Sequence, residues 1–80
     1  MWEVQAHPES LADVLSWVSE RAVPAIGDDP NLVGTEVFSS LDNRIVVITR
    51  WRRDPRDLEE PPGYLVTRKA HAWDFSPVEL

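Results

Sequence analysis

The chain has no cysteine in its 80 residues, so neither a disulfide nor a thiolate-bound zinc can supplement the core, and nothing points to an oxidising compartment. Glycine is scarce, with three residues, and none sits in a phosphate-cradling loop. No apolar run approaches the roughly 20 residues of a membrane span, and MWEVQAHPES has neither a basic start nor a cleavage-like site. A cytoplasmic protein without membrane association is therefore expected. Positive charge is also short: 8 Lys and Arg against 14 Asp and Glu give a net charge of −6, which excludes a nucleic-acid binder that must hold phosphates. Ser10, Ser16, Ser19, Ser39, Ser40 and Ser76 include no serine in a nucleophile-elbow context.

What is present is one domain, residues 1–80, in a size range where folding buries only about 60% of the surface of the unfolded chain. Oligomerisation is the common remaining supplement for such a core. The alternation of Trp2, Val4 and Ala6 against Glu3 and Gln5 predicts a strand with one apolar face. After Pro8-Glu9-Ser10, the apolar residues Leu11, Val14, Leu15, Val18 and Ala22 recur at helical spacing, and Pro24 should end or kink that helix before Gly27.

The stretch NLVGTEVFSSLDNRIVVITRWRR (31–53) reads as a β-hairpin whose strands are separated by a Leu41-Asp42-Asn43 turn, with the register following if Asp42-Asn43 is a two-residue turn. A two-residue turn sets Ser40 opposite Ile45, Phe38 opposite Val47 and Val37 opposite Ile48. Phe38, Ile45, Val47 and Trp51 then share one face, and Val37, Val46 and Ile48 share the other. Ile45 to Ile48 is apolar without alternation, so both faces need cover. One helix layer can supply half of it. The other face predicts a homodimer formed through the sheet. The acidic, proline-rich run Asp57 to Gly63 allows a loop with at most a short helix, and HAWDF (71–75) reads as a final strand. The element order is β-α-β-β-(short α or loop)-β.

The opening strand MWEVQA, the single long helix, the hairpin GTEVFSSLDNRIVVITRWR and the closing HAWDF together resemble the antibiotic biosynthesis monooxygenase-like domains of the dimeric α/β-barrel superfamily. The resemblance covers most of the chain in element order and pattern, without an invariant motif. It implies an α+β, ferredoxin-like βαββ(α)β fold with an antiparallel sheet, a dimeric α/β barrel and a cleft between sheet and helices. The second helix of that fold is short or missing here. It also implies a cofactor-independent monooxygenase acting on an aromatic metabolite. A non-catalytic dimeric binding or accessory protein is the alternative.

Under that reading His71 and Arg50 are the candidate catalytic residues, with Trp51, Trp73, Phe38, Tyr64 and Arg52 lining a site for a small aromatic or anionic ligand. Aromatic side chains serve as walls and arginine meets an anion. The alternatives remain a core aromatic cluster and a solvated arginine rim in which Asp54, Asp57, Glu59 and Glu60 pair with the RWRR run. His7 and His71 are the only imidazoles. By strand parity they point to opposite faces, so no metal site and no cofactor are assigned.

Overall fold

The computed structural model describes residues 1–79. Strand β1 (Trp2–Gln5) leads through a 3₁₀ turn (Pro8–Ser10) into helix α1 (Leu11–Trp17), a π turn (Val18–Ala22) and helix α2 (Val23–Ile26). Strands β2 (Leu32–Ser39) and β3 (Arg44–Trp51) follow, then a 3₁₀ turn (Gly63–Leu65) and strand β4 (His71–Ala72). The four strands form one antiparallel sheet in the order β2-β3-β1-β4. The first and last strands therefore lie side by side.

Helical backbone continues unbroken through Trp17, Val18, Ala22 and Val23, so Pro24 does not end the helix. The π turn explains how. Val14, Val18, Ala22 and Ile26, all buried, are spaced by four residues, and each such step overshoots an α-helical turn by about 40°. A wider turn takes up part of that drift and keeps them on one face. Within it the Val23 N–H bonds to the Val18 carbonyl, and Pro24, which has no N–H to give, follows directly.

The buried face of the sheet consists of Trp2, Val4, Ala6, Ile45 and Val47, which meet the helix stripe together with Leu58, Leu65 and Val66. Trp17 packs on Trp2 with ring centroids 6.4 Å apart. This single layer of helix covers one side only. The outer face carries Val46, Ile48 and Phe38 among two ion pairs, Arg44 to Glu3 at 3.1 Å and Arg50 to Glu36 at 3.2 Å.

The hairpin register differs by one residue from the two-residue-turn expectation. Val37 pairs with Val47, Phe38 with Val46 and Ser39 with Ile45. The loop is Leu41-Asp42-Asn43, closed by the Ser40 N–H on the Arg44 carbonyl at 2.9 Å and the Asn43 N–H on the Ser40 carbonyl at 3.2 Å. Asn43 has φ 64°, the left-handed residue that a three-residue hairpin loop requires. The slip exchanges the faces of Val37 and Phe38 and leaves Ile45, Val47 and Trp51 together.

Two further expectations are corrected. The sheet is open, with β2 and β4 as its edges; four strands ending on two different edges do not close, so there is no α/β barrel. The final strand stops at Ala72, and Trp73 alone continues its pairing, its N–H donating to the Met1 carbonyl at 2.8 Å and its carbonyl accepting from the Met1 ammonium at 2.6 Å. As expected for the acidic, proline-rich run, residues 52–70 hold no second helix beyond the Gly63–Leu65 turn. They pack by Leu58, Pro61, Leu65 and Val66 instead, and an isolated bridge joins Val66 to Ala6.

Candidate functional site

The end of β3, the start of β1 and the stretch after β4 meet at one end of the sheet. Asp54 takes φ 52° just beyond β3, and the following segment, anchored by buried Leu58, passes beside that end. Between these pieces lies a cleft of about 430 Å³ lined by Trp2, Ile48, Trp51, Leu58, Trp73 and Phe75, with Arg50, Arg56, Asp57 and Asp74 among its polar residues. The volume falls in the range of small-ligand sites. Trp73 and Phe75 are 41% and 72% exposed, so that wall stands open to water.

Each aromatic side chain is held differently. Trp2 is the buried floor, backed by Trp17. The Trp51 indole N–H donates to the Thr49 hydroxyl at 2.8 Å, which satisfies its polar edge and fixes the ring. Trp73 is tethered through its backbone to Met1, and its ring meets His71 edge-on, centroids 5.7 Å apart at 72°. The Arg50 side chain is 70% exposed and bonded to Glu36. Such an exposed pair is weak and can exchange for a ligand. Arg56 is bonded to Asp29 at 3.3 Å.

The cleft thus unites three of the expected residues, Arg50, Trp51 and Trp73, and His71 joins them through its contact with Trp73. Phe38 lies on the outer face, 48% exposed, Tyr64 is 80% exposed in the 3₁₀ turn, and Arg52 is exposed beyond β3; none of these lines the cleft. The arginines pair differently than expected. Among the described residues their partners are Glu3, Asp42, Glu36 and Asp29, and no ion pair links RWRR to the acids that follow it. His71 pairs with Glu3 and so occupies the outer face. Parity counted along its own strand did not show this, because the register between β1 and β4 sets the face. Among the described residues no group of three or more His, Asp or Glu is placed to hold a metal.

Trp2, Leu58 and Phe75 were not among the expected site residues. Phe75 shares the alternation of Trp73, and Leu58 is a lone apolar residue in an acidic run; both are signals the sequence contained. The participation of Trp2 depends on packing alone.

No protein-family model, curated protein or solved structure matches this chain. Membership in the antibiotic biosynthesis monooxygenase-like family is thereby overturned, since the resemblance rested on element order and the sheet forms no barrel. The cofactor-independent monooxygenase falls with it. What stands is a small α+β domain with one helical layer on a four-stranded antiparallel sheet. No helix among the described residues is long and apolar enough to cross a membrane.

Proposed function

We propose that this domain binds a planar aromatic molecule in the cleft at the sheet end. The observation that carries the reading is the convergence of Trp51, Trp73 and Phe75 on one volume with Trp2 as a floor. A large aromatic surface exposed to water is normally found on a single residue; three converging on a concavity form a stacking site. Arg50 at the lining favours a ligand with an acidic substituent, because its guanidinium is accessible and only weakly engaged.

Titration with naphthoate and with uncharged naphthyl methanol, read by quenching of tryptophan fluorescence, tests this. Saturable quenching by both is expected, with naphthoate the tighter ligand. Trp73→Ala should weaken both at least tenfold, whereas Arg50→Ala should weaken naphthoate alone. Absence of saturable quenching, or binding unchanged in Trp73→Ala, overturns the proposal.

A further inference from the structure

Strand β2 is a long open edge. The opposite edge strand, β4, spans only His71–Ala72, whereas β2 runs over the eight residues Leu32–Ser39. Its hydrogen-bonding phase follows from the hairpin loop. Ser40 bonds to Arg44, and because narrow and wide pairs alternate along an antiparallel ladder, Phe38 and Glu36 also bond inward to Val46 and Ile48. The N–H and C=O groups of Thr35, Val37 and Ser39 must then point away from the sheet. Among the described residues, β3 is the one element with which β2 makes extended contact.

Edge strands are ordinarily blunted by lysine, proline, inward-pointing charge, shortness or a bulge. β2 has no lysine and no proline, and its irregularity lies at Leu32/Gly34, away from the regular half Thr35 to Ser39. Val37 and Phe38 stand 40% and 48% exposed there. The only charge on the strand, Glu36, is bonded to Arg50, so the edge asks for no partner of opposite sign.

We infer that β2 pairs antiparallel with β2 of a second copy of this chain, extending the sheet across a two-fold axis at Val37. The register follows from charge. Centring the axis on Glu36 would set two carboxylates directly opposite each other, which is unfavourable. Centring it on Val37 sets Glu36 against Phe38, Thr35 against Ser39, and Val37 against its own counterpart. Each outward-facing residue then exchanges main-chain hydrogen bonds with an outward-facing residue of the other copy, as a self-complementary interface requires. A segment that alternates uncharged β-formers in this phase is the fitting partner, and the strand itself is one.

Sedimentation of the full chain over a concentration series, combined with three variants, tests the pairing. The unmodified protein should be dimeric at the upper concentrations. Val37→Pro removes an N–H that bonds to nothing within the chain, so it should yield a folded monomer. If Val37→Pro loses its circular dichroism, Val37→Lys reads the same contact by opposing two like charges. On oxidation Val37→Cys should crosslink rapidly, because paired Cα atoms lie about 5.5 Å apart, inside the disulfide range. Val33→Cys, at an exposed position on the same edge, should not, because its two copies would lie roughly 27 Å apart in this register. A protein monomeric at every concentration overturns the inference. So does a dimer that survives the Val37 substitution, which would place the contact on the outer sheet face, or equal crosslinking of the two cysteine variants.

Discussion

The Ala6 N–H donates to the carbonyl of Asn43 at 2.9 Å, so the residue that turns the hairpin is bonded directly to the end of the first strand. The loop therefore sets the hairpin's register and fixes where β3 begins against β1. Asn43 has positive φ, which glycine adopts without strain and a β-branched residue does not. Asn43→Gly should be tolerated with little change in stability. Asn43→Val should cost roughly 1–2 kcal/mol, read as a lower urea midpoint.

The two faces of β3 predict different costs for similar deletions. Ile45 is fully buried against the helix, so Ile45→Ala should lose about 2–5 kcal/mol and Ile45→Val about 0.5–1.5 kcal/mol. Val46 is only partly buried, on the outer face, and Val46→Ala should cost clearly less than Ile45→Ala. In a domain whose total stability is about 5–15 kcal/mol, the Ile45→Ala loss is a large fraction of the total and should appear as a clearly lower urea midpoint. Equal costs at the two positions would contradict the assignment of faces.

Asp42 titrates below the ordinary carboxylate range, because its carboxylate accepts a hydrogen bond from the Ser40 hydroxyl and lies near Arg44. Its folded value is depressed, so its contribution to stability is present above the unfolded value and lost as pH falls through the folded one. The group is fully exposed and the effect on stability is small. NMR titration should place Asp42 below the ordinary aspartate value. Ser40→Ala should move it upward, by removing the largest cause of the depression.

Leu58 is the apolar anchor of the segment beside the cleft and is buried in an otherwise acidic run. Leu58→Ala should cost about 2–3 kcal/mol, at the low end for a buried leucine, because it sits at the margin of the core. Limited proteolysis after Arg56 should accelerate, and naphthoate should bind more weakly. Retained affinity with accelerated cleavage would show that the segment does not form the site.

Which strands and helix exist was legible from local pattern. Alternation at Trp2, Val4 and Ala6 and helical spacing at Leu11, Val14, Val18 and Ala22 each describe one element's own apolar face, and burial follows that face. The hairpin was legible in its strands and misread in its loop, because one residue entering the left-handed region converts a two-residue turn into a three-residue loop and exchanges the faces of Val37 and Phe38. Composition alone does not distinguish those loops.

The sequence by itself determined an acidic, cysteine-free α+β domain with two apolar faces on its central hairpin. Tertiary structure decided the rest: that the sheet stays open, that His71 lies beside Glu3, and that Trp2, Trp51, Trp73 and Phe75 share a cleft while Phe38 and Tyr64 stand apart. Periodicity records how each segment divides its own residues between inside and outside. Which segments meet is set by register and by the path of the connecting loops, and those depend on contacts between residues distant in the chain.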